Sequence, residues 1–352
     1  MGTWEKNVLG MIANEDWLDV GFDVTRQNDP IDGLFGDQKT DNIMAEWQSI
    51  AAEYQIPVMA QYHAFDTEAN TTFRIPVDTH SIEKGLIKVK INQTERLNAL
   101  IRAGVRGNEE LYNYVLNDGM RLADQVFTRS KVAKNEVMAS GKMTIKENNL
   151  NLTIDYGVPA NHTAYTLDLS ASADVASQIQ QIIDDALDKG VVINGMMTSK
   201  RNLTKMRNNS TLQTAINGNI GAGALVRSDA LEAYLADEFG IMQIVTNDLT
   251  YAASAKIGAN GRPSVTTSRY YPLNKVTFFA TNVGGRLGVG LWGDPPEVEA
   301  SRFMNVGTSE VSPYVYVSQW AENDPAVLWT KASGLFVPVL YNPESLYIAT
   351  VQ

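Results

Sequence analysis

The sequence predicts an α+β fold in which compact parts carry extensions too long to fold back into one globule. Three observations predict it. One apolar stripe runs the length of residues 108–140, the pattern of a single very long helix. Runs alternating apolar and polar residues flank it, at 86–91 and 142–156, the pattern of strands with one wet face. From about 165 to 290 helical and strand patterns alternate, as in a separate α/β unit.

The first segment, 1–49, reads as an arm. Turn formers recur at Asn28-Asp29-Pro30, Asp32-Gly33 and Gly36-Asp37, and there is little periodicity. Trp4, Trp17, Phe22, Leu34, Phe35 and Trp47 are scattered through it. Large apolar side chains without a closed pattern pack either on a neighbouring chain or back on their own domain, and the sequence leaves both open. Residues 50–92 read as an extended hairpin loop. Val58, Ala60 and Tyr62 alternate with Met59, Gln61 and His63, and a second β-prone run covers 71–77. Asp66-Thr67-Glu68-Ala69-Asn70 is the polar turn between them, so the tip should be exposed. Leu86 to Ile91 alternates apolar residues with Lys, a strand returning to a sheet.

The helix at 108–140 has Asn108 as a cap and Glu109 and Glu110 at the positive end of its dipole. Leu111, Val115, Leu122, Val126, Ala133 and Val137 fall at steps of four and seven, a narrow seam with Gly119 on it, and Ser140-Gly141 stops the helix. At about 1.5 Å per residue it is roughly 50 Å long, longer than an ordinary small domain is wide. It therefore needs a flat partner along its length, or bridges two units. The strands 142–146 and 150–156 turn at Asn148-Asn149, and 93–165 reads as the domain built on this helix.

The unit 166–290 starts with an amphipathic helix, 172–189, ended by Gly190. A short buried strand at 191–195, helices at 200–208 and 228–239, and strands at 241–245 and 276–280 complete it, with a turn at 260–263. The last part, 291–352, is β-rich, its clearest strands at 311–317 and 346–351, and is expected to return to the sheet of the long helix.

Composition narrows the chemistry. The chain has 352 residues, enough for two or three domains at roughly 100–200 residues each. Its 29 Lys+Arg against 40 Asp+Glu leave a net charge of −11, which argues against broad electrostatic capture of nucleic acid or anionic membrane. There is no Cys, so no disulfide, thiolate metal site or Cys nucleophile. The three histidines, His63, His80 and His162, share no ligand spacing and read as surface or strand residues. Asp184-Asp185 and Asp237-Glu238 sit on helices, where adjacent side chains diverge into solvent. No phosphate-cradling loop or nucleophile elbow occurs. Gly218 to Gly223 reads as a surface loop; Gly284 to Gly290 permits a close backbone approach. The N-terminus lacks the basic and apolar regions of a secretory signal, and no apolar run approaches the ~20 residues of a membrane helix. The expectation is a soluble intracellular protein with no catalytic, cofactor or metal site.

Four segments carry a resemblance. They are the end of the long helix, Arg129 to Ser140, running into Gly141-Lys142-Met143-Thr144-Ile145; the strand Leu152-Thr153-Ile154-Asp155-Tyr156-Gly157; Tyr271-Pro272-Leu273-Asn274-Lys275-Val276-Thr277-Phe278 followed by Gly285 to Gly290; and the close from Leu335 to Ala349, with Pro338 and Asn342-Pro343. In this order the chain from about 40 to 352 resembles the lambda-type major capsid proteins of tailed bacteriophages, the capsid protein E family. The resemblance implies the fold of tailed-phage capsids (the Johnson fold, Hong Kong ninety-seven type). Its parts would be an N-terminal arm at 1–49, an extended loop at 50–92, a peripheral domain at 93–165 with a spine helix, an axial domain at 166–290, and a return to the peripheral sheet at 291–352.

The implied function is a major capsid protein that self-assembles into hexamers and pentamers of an icosahedral head around double-stranded DNA. Its partners would be further copies of itself, a scaffolding protein and a portal, with an optional decoration protein, weak contact with the packaged DNA and no membrane. It would be assembled in the host cytoplasm and located in the virion. Aromatic residues of the arm and loop suit intersubunit anchoring, which singles out Trp4, Trp17, Tyr62, Phe65, Phe73 and Arg74. Two other readings stand beside it: a nanocompartment shell of the same fold, and an α/β hydrolase using carboxylates of 166–290.

Overall fold

A computed structural model describes residues 29–51, 56, 58–60, 74–93, 109–147, 149–218, 224–257, 263–282, 284–301, 307–312, 314–323 and 326–352. The described chain begins with a one-turn helix α1 (Ile31–Leu34), then β1 (Phe35–Lys39), β2 (Met44–Ser49), β3 (Asp78–Glu83) and β4 (Gly85–Gln93). Helix α2 (Glu109–Ser140) precedes the hairpin β5 (Lys142–Glu147) and β6 (Leu150–Asp155). A 3-10 turn, Ala160–Thr163, leads to β7 (Tyr165–Leu167), α3 (Val175–Leu187) and β8 (Gly195–Thr198). Then follow α4 (Lys200–Arg207), α5 (Ser210–Asn217), α6 (Ser228–Phe239), β9 (Gln243–Thr246), β10 (Thr250–Ile257) and β11 (Pro263–Arg269). The chain closes with β12 (Lys275–Phe279), β13 (Gly288–Gly293), α7 (Pro296–Ser301), β14 (Gly307–Ser312), β15 (Val315–Asn323), β16 (Ala326–Leu340) and β17 (Leu346–Val351).

The stripe on α2 does what its spacing requires: Leu122, Val126, Ala133 and Val137 are buried. Burial is nevertheless wider than the narrow seam the spacing predicts. Between Ser130 and Ala139 every residue except Glu136 is buried, including Ser130, Lys131, Lys134 and Asn135. The reason is packing on several sides at once. The sheet strands β4, β15 and β16 cover one side, while α1, β5, β12 and β17 touch others. Helix α2 ends where Gly141 takes a left-handed φ of +69°, and a Cβ there would stand 2.6 Å from the Val158 side chain.

Two sheets divide the described core. The first has the order β1-β13-β16-β15-β14, with β4 on the opposite edge of β16. Strand β16 is long enough, at 15 residues, to pair with β15 through its first half and with β13 through its second. Trp292 of β13 is fully buried beneath this sheet, against the rings of Phe127, Tyr314 and Phe336 at 5.4, 5.5 and 4.6 Å. The second sheet is mixed, in the order β7-β17-β12-β8-β9. Helix α3, capped by Asp174 accepting from Ser177 N at 3.1 Å, buries Val175, Ile179, Ile182, Ile183 and Ala186 in its core. The C-terminal strand β17 belongs to this second sheet, whereas the sequence pattern puts all of 291–352 with the first.

Other differences have local causes. The strand expected at 191–195 starts only at Gly195, because Asn194 is used as a joint. Its amide donates to Thr281 Oγ1 at 2.8 Å, its Oδ1 accepts from Thr281 N at 3.0 Å, and its carbonyl accepts from Met242 N and Gln243 N. The run 311–317 is two strands, because the chain turns at Tyr314 and β15 folds back antiparallel on β14. The hairpin expected from 58–63 and 71–77 is instead closed by β2 and β3, from Met44↔Glu83 to Ser49↔Asp78. Residues 58–60 and 74–77 are not strand, and 61–73 lie outside the described residues. The hairpin stem thus recruits residues 44–49, which the sequence pattern assigns to the arm.

Candidate functional site

The described part of the arm is fixed by buried polar chemistry. Lys134 of α2 is fully buried, yet its ammonium donates to Asp32 Oδ1 at 2.8 Å and to the Phe35 carbonyl at 3.1 Å. Asp37 Oδ1 stands 2.9 Å from the same ammonium and also accepts from Trp292 Nε1 at 2.9 Å. Gly290 leaves the space this needs, since a Cβ there would lie 2.5 Å from Asp37 Oδ1. One turn along, Asp29 accepts from Ile31 N at 3.0 Å, Asn247 Nδ2 at 2.9 Å and Asn135 Nδ2 at 3.3 Å. Burial raises the Asp29 pKa above the usual carboxylate value, and the Ile31 N–H bond opposes it. Asn247 leads out of β9, so this triad ties the arm, the long helix and the second sheet together.

The root of the extended loop is held by another buried lysine. Lys84 sits between β3 and β4, and its ammonium donates to Thr40 Oγ1 at 2.6 Å, Thr40 O at 3.0 Å, Trp292 O at 3.1 Å and the Asn42 carbonyl. Burial lowers its pKa from the ordinary lysine value. In the stem above, Trp47 stacks on His80 at 5.1 Å, and Ser49 Oγ lies 2.8 Å from His80 Nε2. Beyond the stem the cover runs out. Val58 is 69% exposed, Met59 86%, Ile75 50% and Val77 47%. Large apolar side chains exposed in this number along one extension mark a contact surface. Smaller exposed apolar groups occur at Leu150 and Leu152 on β6 and at Val192 and Met242 beside the second sheet.

The sites of a possible reaction are quieter. A cleft of about 410 Å³ is lined by Asn161, Ala164, Tyr165, Asp185, Asp188 and Lys189. Its groups are engaged with one another: the Tyr165 hydroxyl donates to Asp185 Oδ2 at 2.7 Å, and Lys189 Nζ is 2.7 Å from His162 Nε2. His162 is buried and stacked on Tyr347 at 4.0 Å, which corrects its expectation as a surface or strand residue. Burial and the Lys189 charge lower its pKa to about 4. Asp184 accepts from Gln180 at 2.7 Å, away from Asp185, and Asp237 and Glu238 are exposed. Among the described residues no group of His, Asp and Glu is arranged to hold a metal, and no helix is long and apolar enough to cross a membrane.

Of the contact residues expected from sequence, Arg74 is exposed, beyond the β2–β3 stem of the extended loop. Trp4, Trp17, Tyr62, Phe65 and Phe73 lie outside the described residues, as does most of the loop Gly218–Gly223. Lys84, Lys134, Asp29, Asn135 and Asn247 were not among the expected functional residues. Their only sequence signal is a polar residue inside an apolar pattern, as at Lys134 between Ala133 and Val137.

Solved structures with this architecture include phage capsid proteins. A protein assigned as a prophage capsid protein in E. coli CFT073 matches with TM-score 0.55 and 12% identity, covering 98% of this chain and 99% of the other. A phage-related protein from Bordetella bronchiseptica RB50 matches with TM-score 0.53 and 11% identity, covering 95% of each. The capsid of cyanophage A-1(L) gives TM-score 0.51 at 12% identity, covering 91% and 92%. No curated protein sequence matches the chain. The fold is therefore the tailed-phage major capsid fold. The sequence model of phage major capsid protein E matches residues 51–351, and the chain belongs to that family. Its role is that of a major capsid protein.

Proposed function

We propose that this chain is the repeating tile of an icosahedral head, assembling into hexamers and pentamers around a double-stranded DNA genome and acting without catalysis. The observation that carries the reading is the extended loop. Its root is clamped by Lys84, yet Val58, Met59, Ile75 and Val77 lack cover, so they need a surface from another copy. Arg74 and the aromatic residues Trp4, Trp17, Tyr62, Phe65 and Phe73 are the proposed anchors of those contacts. The division into arm, extended loop, peripheral domain and axial domain supplies the parts such a tile needs. A scaffolding protein, a portal and an optional decoration protein are the proposed partners. The net charge of −11 fits weak, salt-sensitive contact with the packaged DNA. Assembly in the host cytoplasm, ending in the virion, completes the reading.

Sedimentation velocity tests it. The expected result is hexamer- and pentamer-sized species, with larger shells appearing as concentration rises. A monomer that persists at every concentration and salt overturns the reading.

A further inference from the structure

Among the described residues Lys84, Lys131 and Lys134 are buried, and each is held differently. Lys84 donates to carbonyls and to the Thr40 hydroxyl. Lys131 Nζ stands 3.8 Å from Asp32 Oδ2. Lys134, the most deeply buried, has two carboxylates in contact, Asp32 Oδ1 at 2.8 Å and Asp37 Oδ1 at 2.9 Å. An oxygen at 2.9 Å sets the carbon of the same carboxyl roughly 3.5 Å from the nitrogen, about the separation of a near-attack pair.

The backbone makes this approach possible. β1 runs parallel to β13, with Asp37 opposite Gly290. A Cβ at Gly290 would lie 2.5 Å from Asp37 Oδ1, 2.9 Å from the Phe336 ring and 3.0 Å from Lys134 Cε. The last glycine of the run 284–290 therefore leaves the space in which amine and carboxyl meet. Fully buried Trp292 donates its Nε1–H to Asp37 Oδ1 at 2.9 Å. A donor aimed at a carboxyl oxygen stabilises the charge that grows on it when the carbon is attacked. Asp32, in contact with the same nitrogen, is placed to take and return protons. Nucleophile, carboxyl carbon, oxyanion donor and proton relay thus converge on one buried point.

We propose that Lys134 and Asp37 condense into an amide, an isopeptide bond that ties β1 to α2 within one chain. The ion pair described above is the reactant. Lys134 passes one ammonium proton to Asp32, and the freed amine attacks the Asp37 side-chain carbon. A C–N bond forms, and the negative oxygen accepts from Trp292 Nε1. The nitrogen gives up a second proton, again to Asp32, and both protons go to the departing oxygen. The C–O bond breaks and one water leaves. The nitrogen keeps one hydrogen, and Asp32 ends as the carboxylate it began as. No oxidant, reductant or further reactant is needed. The driving term is the removal of two charges from a site where Lys134 is 1% exposed. Asp32, 34% exposed, marks the way out for the water.

The bond would secure a weak point. β1 is a five-residue edge strand, held to the sheet by one parallel ladder to β13. The extended loop lies between the two linked positions, so load on that loop could not draw β1 off the sheet. The inference goes beyond the shell reading and does not depend on it.

Mass spectrometry of the denatured full-length protein tests it. The expected mass is about 18 Da, one water, below that of the sequence. Trypsin should release one branched species joining residues 27–39 to 132–142, uncut at Lys134 because its amine is no longer free. Lys134→Arg keeps the cation and lacks an amine that can be freed, and should restore the sequence mass. Asp32→Asn removes the relay and should lower the linked fraction severalfold. A folded, unaltered chain that keeps the sequence mass after days at 37 °C overturns the proposal. So does a loss of water that persists in Lys134→Arg, which would place it in a succinimide at Asp32-Gly33. The digest of the unaltered chain decides the matter even where a variant fails to fold: separate peptides cut at Lys134 overturn the bond.

Discussion

Lys134 sits where four parts of the chain meet: the long helix, the one-turn helix α1, strand β1 and Trp292 of β13. A buried ion pair gains little over a well-packed apolar substitute, but breaking one by removing a single partner is costly. Lys134→Met would leave Asp37 without this cation and Asp32 with Lys131 alone, 3.8 Å away. We expect a loss of about 3–5 kcal/mol in subunit stability, measured by denaturant unfolding. His162 gives the residue-scale prediction for pH. Its folded pKa, about 4, is below its ordinary value of 6.5, so the unfolded chain binds the proton first. Its contribution is fully present above pH 6.5 and is lost as pH falls toward 4. Asp29, with a raised pKa, acts in the opposite sense, since protonation at low pH favours its buried state. Melting temperature should therefore fall between pH 6.5 and pH 4 by less in His162→Phe than in the unaltered chain. Equal slopes would show that His162 is not held neutral by burial and Lys189.

At the scale of elements, α2 was legible because its signal is long and local. Six apolar residues at steps of four and seven, closed by Ser140-Gly141, permit little else. Val126→Asp tests the face so assigned. It would bury a charge with no partner, and thermal unfolding should show a loss of roughly 3 kcal/mol or more. Deleting residues 64–72 tests the extension instead: subunit melting should stay within a degree or two, about the change expected of an exposed loop, while particle formation falls. Normal particles from the deleted chain would contradict the role given to the loop. Strand β16 was not legible, although it organises the first sheet. Gly334 and Pro338 read as breakers. Pro338 is tolerated because it lies beyond Phe336, the last residue paired with β4, so one of its edges carries no ladder. The stem strands β2 and β3 were equally hidden, because their partners are about thirty residues apart and single-sequence periodicity does not see pairing. The anchors Lys84 and Asp29 escaped for a related reason. A charged residue is read as exposed unless its acceptors are known, and these acceptors come from distant segments.

For the whole molecule, the two hydrophobic clusters and the polar joint of Asp29, Asn135 and Asn247 make a firm body, and the unmet demand lies on its extensions. A chain with two packed apolar clusters inside and apolar side chains uncovered on its extension is suited to heterologous contacts repeated by symmetry. The most direct measurement is electron microscopy of the purified full-length protein at assembly concentrations. The account predicts closed shells built of six-fold and five-fold rings, each wall one subunit thick. A uniform field of small particles the size of one chain, unchanged by concentration or salt, would contradict it.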